Sequence, residues 1–237
     1  MNIIITGASK GIGNELARQF AQNINNKVVI IARNRLKLEQ LKRECLFQYP
    51  GAKIYPLVFD LTTGDFKRGL MPELLSSISS IDILINNAGV LINKPFTELT
   101  REDIDTMYRT NVTSSFELIQ ALLPYMGKGQ HPTHIVNISS MGGFQGSAKF
   151  AGLSAYSSSK AAMASLTECL AEEFKGQHIS VNCLCIGAVQ TEMFAQAFPG
   201  EKAGMQPAQM AAYIKDFALT GWNYFNGKVL PVTSSTP

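Results

Sequence analysis

The chain has 237 residues, of which 46% are hydrophobic, 9% aromatic and 16% charged. That length suits one large α/β domain whose core needs no disulfide or metal staple. The 21 Lys+Arg against 18 Asp+Glu give a net charge of +3 without a block of like charges, which argues against a nucleic-acid groove or an acidic tail. No apolar run approaches the roughly 18 residues of a membrane span, and Met1-Asn2 runs straight into Ile3-Ile4-Ile5 without a basic or long apolar leader, so the expected location is cytoplasmic, with no membrane partner. The charged fraction lies below the roughly 25% of ordinary soluble domains, which is what burial of part of the surface against another subunit would produce.

Strand and helix patterns alternate along the chain. β-branched runs at 2–6, 27–32, 53–59, 82–86, 134–139, 179–185 and 228–232 predict seven strands. Between them Ile12, Leu16 and Phe20 recur at helical spacing. Thr100 is placed to cap a helix with Asp103 in its first turn, followed by Ile104, Met107, Tyr108, Phe116, Ile119 and Leu123. Leu166, Leu170 and Phe174 mark a further helix over about 157–174. This alternation predicts a single domain over 1–237 with a parallel sheet covered on both faces, doubly wound by right-handed crossovers. Residues 193–226 contain no strand pattern. Phe194, Phe198 and Pro199-Gly200 read as a short helix and turn, and Pro207 opens a helix through Phe217. An excursion there, over the carboxyl ends of the strands, is the expected substrate lid.

Cys45, Cys169, Cys183 and Cys185 contain no Cys-x-x-Cys pair. His131, His134 and His178 have no carboxylate at ligand spacing, so no metal is expected. Cys183 and Cys185, two apart on a strand, face the same way and read as buried thiols.

Thr6-Gly7-Ala8-Ser9-Lys10-Gly11-Ile12-Gly13 joins the first strand to the first helix with Gly-x-x-x-Gly-x-Gly spacing. Glycines let the backbone turn sharply against a pyrophosphate, and the helix N-terminus offers free N–H groups to it. The second strand runs out through Arg33-Asn34, 20 residues beyond Gly13. Arg33 in place of an acidic residue suits a 2′-phosphate, and Lys10 adds a second cation, so NADP(H) is expected over NAD(H). Asp60, ahead of Leu61 at the end of the third strand, can accept from the adenine amino group.

Tyr-x-x-x-Lys occurs three times, at Tyr49, Tyr156 and Tyr224. Only Tyr156-Ser157-Ser158-Ser159-Lys160 has an interior free of helix breakers. Positions i and i+4 share a helix face, so the Lys160 ammonium is expected to lower the Tyr156 pKa and make the phenol a proton donor or acceptor. Ser139 and Ser140 end the fifth strand on opposite faces, so one of them points into a cleft.

These segments, with Asn86-Asn87-Ala88-Gly89, Asn111 and Ile186-Gly187-Ala188-Val189-Gln190-Thr191, occur in an order that resembles the single-domain short-chain dehydrogenase/reductase family over residues 2 to about 191. The resemblance implies a Rossmann-like fold and a catalytic set of Asn111, Ser140, Tyr156 and Lys160, with Ser140 rather than Ser139 polarising the carbonyl and Asn111 holding a relay water near Lys160. It implies a cofactor site of Gly7, Ser9, Lys10, Gly11, Ile12, Gly13, Arg33, Asn34, Asp60, Leu61, Asn87, Ala88, Gly89, Tyr156, Lys160, Gly187, Val189 and Thr191. Three departures stand out: Ile186 where relatives usually carry Pro, a long Gly-rich stretch over 141–155 expected to be mobile, and a tail over 231–237 without the common Asp-Gly-Gly ending. The implied activity is NADP(H)-dependent interconversion of a small ketone or aldehyde with its alcohol, in a homodimer or homotetramer paired through the helices at 100–126 and 157–174. Leu91, Phe144, Phe150, Leu153, Met193 and Phe194 suggest an apolar pocket. The alternative is a non-catalytic NADP(H)-binding regulator. A nucleotide-sugar epimerase fits less well because no second substrate domain is evident.

Overall fold

The computed structural model describes residues 1–233; Ser234–Pro237, and with them most of the atypical tail, lie outside the described residues. Seven strands, β1 (Asn2–Thr6), β2 (Lys27–Ala32), β3 (Lys53–Val58), β4 (Ile83–Asn86), β5 (Thr133–Ser140), β6 (Ile179–Ile186) and β7 (Val229–Val232), form one sheet in the order β3-β2-β1-β4-β5-β6-β7. Every pairing is parallel.

Both faces of the sheet are buried, which is why the strands read as unbroken apolar runs. Ile3 and Ile5 of β1, with Val28 and Ile30 of β2, enter one core; Ile4, Val29 and Ile31 enter the other. The first core is covered by α1 (Gly11–Ala21), α2 (Arg35–Gln48) and α8 (Pro207–Thr220). The second is covered by α3 (Met71–Ser77), α5 (Ser114–Leu122) and α6 (Ser154–Glu173). No described helix is long and apolar enough to cross a membrane.

The helix expected over 100–126 is interrupted. Thr100 and Asp103 form a reciprocal capping box at α4 (Arg101–Tyr108), then the chain widens into a π-helical turn at Arg109–Thr113 before α5, and Leu123–Tyr125 closes it as a 3-10 turn. The wide turn carries Asn111, in keeping with the tendency of π-turns to occur at functional sites.

The excursion expected as a lid divides in two. α7 (Glu192–Ala197) lies along the cleft described below, whereas α8 buries Met210, Ala211, Ile214, Phe217 and Ala218 in the first core and packs on α1. Its apolar stripe covers the sheet, so the part of 193–226 available to a substrate is α7 and the turn after it.

His134 pins α8 to the sheet. It is fully buried on β5; its Nδ1 lies 3.0 Å from the Ala218 carbonyl and its Nε2 lies 3.0 Å from the Asn182 amide nitrogen. The neutral ring satisfies both contacts, donating at Nδ1 and accepting at Nε2. Burial pushes its pKa down to about 4 from 6.5, only partly offset by the Ala218 contact. The folded state therefore resists a proton that the unfolded chain accepts. Stability is full above pH 6.5 and falls by about 3 kcal/mol as pH drops toward 4. The expected NMR titration leaves the His134 ring unprotonated at pH 5; titration near 6.5 would contradict this packing.

Candidate active site

β1 lies at the switch point of the sheet, since the chain winds outward through β2 and β3 on one side and through β4 to β7 on the other. The carboxyl ends of β1, β2, β4, β5 and β6 open there into a cleft of about 910 Å³.

The glycine-rich turn forms one end of the cleft. Gly7 has φ +69 and Gly11 φ +55, values that a side chain adopts only with strain. A Cβ on Gly13 would stand 2.5 Å from the Gly7 carbonyl oxygen and from Asn87 Nδ2. Lys10 occupies the N-cap of α1 in extended conformation and makes no side-chain cap. The first N–H groups of α1 thus have no side-chain acceptor, and a phosphate fits that need. The turn and the helix end together suit a dinucleotide.

Across the switch point, Thr6 Oγ1 accepts from the N–H groups of Asn87 and Ala88, each at 3.0 Å, and Asn87 Nδ2 donates to the Thr6 carbonyl at 2.9 Å. Thr6 thereby shapes the turn after β4, a role that sequence reasoning missed; the only signal was a polar residue ending an apolar strand. Lys37 was missed as well. It lines the cleft beside Arg33 and Asn34, one turn into α2, where Asn34 caps the helix by accepting from the Lys37 N–H at 3.0 Å. Arg33 is less isolated than its sequence setting implied, because Asp60 approaches it from the end of β3 at 3.9 Å. Burial opposes ionisation of Asp60, but hydrogen bonds from the Thr62 hydroxyl and N–H, with the Arg33 charge, outweigh it and hold the carboxyl below its ordinary range.

The other end of the cleft holds the ionisable pair. Both serines border the cleft, but the Ser139 hydroxyl is taken up by the Lys160 carbonyl at 2.7 Å, while Ser140 accepts from the Gly142 N–H at 3.2 Å and lies beside the Tyr156 hydroxyl. Tyr156 and Lys160 lie one turn apart on α6 with the Lys160 Nζ 5.9 Å from the ring centroid. Lys160 Nζ also donates to the Ile138 carbonyl at 2.9 Å. The expected lowering of the Tyr156 pKa does not occur in this arrangement. Burial pushes the phenol up to about 12, and the Ser140 hydrogen bond pulls it back only in part. Burial also pushes Lys160 down to about 8, against the neighbouring Cys183 and Cys185 thiols. Desolvation dominates for both groups.

Asn111 and Gly13 do not line the cleft. The Asn111 amide accepts from the Val90 N–H at 2.8 Å and donates to the Val90 carbonyl at 3.0 Å and the Ser159 hydroxyl at 2.9 Å. It stands behind Gly89, where a Cβ would lie 3.3 Å from Asn111 Oδ1 and 3.4 Å from Lys160 Nζ. Beneath, Asn86 donates to Asn137 at 2.8 Å and Asn137 to the Thr167 hydroxyl at 2.9 Å, which cross-links β4, β5 and α6. The remaining expected residues, Ser9, Ile12, Leu61, Ala88, Gly187, Val189 and Thr191, line the cleft, as do Leu91, Phe150, Leu153, Met193 and Phe194.

The stretch over 141–155 begins as a 3-10 turn at Met141–Gly143 and is tied down by Ser147, whose hydroxyl bonds the Met141 and Phe144 carbonyls. Cys183, Cys185 and Cys45 are buried free thiols, the first two side by side on one face of β6, but Cys169 is exposed. Among the described residues no group of His, Cys, Asp and Glu could hold a metal ion.

Comparison with known proteins identifies the family. The short chain dehydrogenase family matches residues 1–202. The chain is 34% identical to carbonyl reductase (NADPH) 2 of Sus scrofa over 193 residues, 81% of this chain and 73% of that protein. It is also 34% identical to a tropinone reductase homolog of Arabidopsis thaliana over 204 residues, 85% and 73% of the respective chains. A solved short chain dehydrogenase of Escherichia coli CFT073, complexed with NADPH, superposes with a TM-score of 0.86 at 28% identity and covers 97% of this chain and 95% of its own. With its parallel sheet, its glycine turn and a family match over residues 1–202, the chain belongs to the short-chain dehydrogenase/reductase family of oxidoreductases.

Proposed function

We propose that the protein is an NADP(H)-dependent carbonyl reductase that converts a small ketone or aldehyde to the alcohol, or runs the reverse reaction, with Tyr156 as its acid and base. The observation that carries this reading is that Ser140, Tyr156 and Lys160 line one cleft, with the Tyr156 phenol beside Ser140 and Lys160 one helical turn away. A bound nicotinamide supplies or accepts the hydride. A neutral phenol at physiological pH suits protonation of a carbonyl oxygen, and the Ser140 hydroxyl is placed to orient that oxygen. Lys160, with a pKa of about 8, retains a proton near neutrality and stabilises the tyrosinate left after transfer. Asn111 holds the turn at Val90 behind Gly89, and its amide oxygen and the Lys160 ammonium border the same small space. That is where a relay water would sit.

NADP(H) over NAD(H) rests on Lys10, Arg33 and Lys37, three cations at the nucleotide end of the cleft. Arg33→Ala is expected to lower the ratio of kcat/KM with NADPH to that with NADH by about tenfold, since a charged hydrogen bond to phosphate is worth about 1.5–3 kcal/mol. An unchanged ratio in steady-state kinetics would remove Arg33 from the phosphate site. Assembly through α4, α5 and α6 is part of the same reading, supported by partly exposed Ile104 and Phe116 and by exposed Ala161 and Ser165 on α6.

A further inference from the structure

Three segments border the substrate end of the cleft: the loop after β4 over 90–95, the loop over 144–153, and α7. They meet at Asn93. Its Nδ2 donates to the Ala197 carbonyl at the end of α7 at 2.9 Å. On its other side Gly152, at φ +82, comes so close that a Cβ would stand 2.0 Å from Asn93 Oδ1. Beside it the Lys94 N–H donates to the Gly152 carbonyl at 3.1 Å. The loop that carries Asn93 is anchored at both ends, by the Val90 contacts to Asn111 and by Lys94 Nζ, which pairs at 2.7 Å with Asp103 in the first turn of α4.

The walls joined in this way are apolar. Leu91, Phe150, Leu153, Phe194 and Phe198 line the cleft, and Phe194 lies 5.1 Å from Phe198, ring centroid to ring centroid. Charge adds to the selection. The Glu201 carboxylate borders the cleft without a hydrogen bond or ion pair among the described residues, while Lys149 is folded back onto the Phe144 carbonyl and the Ser147 hydroxyl. An anionic substrate therefore meets an unpaired like charge.

We propose that Asn93 is a specificity-determining residue, a clasp that ties the Phe150 loop and the Phe194 helix together and restricts the site to compact, uncharged, apolar carbonyl compounds. The inference rests on the reading of the cleft as a carbonyl-reducing site. A substrate whose oxygen meets Tyr156 and Ser140 extends its body between these walls. A compact body fits with the clasp closed; a bulky one requires the Asn93–Ala197 bond to open. Because that bond is solvent-exposed its contribution is modest, and the effect on discrimination is correspondingly about fivefold.

The test compares kcat/KM at saturating NADPH for two methyl ketones, one with a phenyl and one with a biphenyl body, in the wild type, Asn93→Ala, Gly152→Ala and the double variant. Each single change is expected to raise the biphenyl-to-phenyl ratio about fivefold. The double variant is expected to go no further, because both changes open the same clasp. The KM for NADPH and the pH profile should not move. Turnover of both ketones with an unchanged ratio in Asn93→Ala, or additive effects in the double variant, overturns the clasp alone. Absence of turnover on any carbonyl by the wild type overturns the carbonyl-reducing reading and the clasp with it.

Discussion

Tyr156→Phe is expected to lower kcat for NADPH-dependent ketone reduction by about 10³-fold, within the range that a positioned acid supplies, and to leave NADPH binding intact. The substitution removes one oxygen from a buried ring and keeps its shape, so the packing of Tyr156 against Met107 and Ala155 persists. What disappears is the phenol hydroxyl beside Ser140, the proposed proton donor. Stopped-flow or steady-state NADPH oxidation reads the loss, and a fluorescence titration of NADPH reads the retained site. Full turnover in the Phe variant would show that another group delivers the proton. Retained NADPH binding by a wild type inactive toward every carbonyl would instead favour the regulator. The same geometry predicts the pH profile of the wild type. Since the phenol is held near 12 and Lys160 near 8, reduction is expected to decline as pH rises through about 8, where Lys160 gives up its proton.

Gly143→Ala carries the second large effect, on stability and activity together. A Cβ at Gly143 would stand 2.5 Å from the Lys160 carbonyl carbon and 2.6 Å from the Ala161 nitrogen. Both are backbone atoms of α6, so no rotamer change relieves the contact, and the 3-10 turn must move away from the helix. Overpacking of this kind costs about 1–3 kcal/mol, and the displacement separates Ser140 from Tyr156, so kcat/KM is expected to fall more than about tenfold. Gly146→Ala is the control. Gly146 has φ +80 but nothing within 4 Å of its Cβ position. It therefore incurs only backbone strain, about 1–2 kcal/mol, with activity unchanged. Equal activity in the two variants would contradict the close approach of the turn to α6.

The strands were legible because a sheet buried on both faces requires continuous apolar runs such as Val28-Val29-Ile30-Ile31, and all seven appear within a residue or two of their expected positions. Helices with a faint stripe were harder. α2 buries only Leu38, Leu41 and Cys45, and the π-turn at Phe66–Leu70 ahead of α3 follows no regular period. The stripe of α8 announces a helix, but whether that helix covers the sheet or the cleft depends on α1, which sequence spacing does not locate. The pair Tyr156 and Lys160 was readable from i,i+4 spacing, whereas Thr6 acts through Asn87, 81 residues away, and Lys37 reaches the cleft only through the docking of α2 on the sheet. The sign of the Tyr156 shift was missed for a related reason: spacing reports a nearby charge, and only burial reports the loss of water.

β1 also sets a timing problem. Ile3 pairs with Val28 on one edge and with Ile83 on the other. The second partner is made 80 residues after the first residue of the pair, the longest separation between neighbouring strands in the sheet. At about 5–20 residues per second, the apolar edge of Ile3-Ile4-Ile5 waits about 4–16 s on the ribosome for β4. The strand that ends in the glycine-rich turn is thus the one most exposed to mispairing with another nascent chain. The central place in the sheet that opens the cleft makes the same strand a kinetic liability during synthesis.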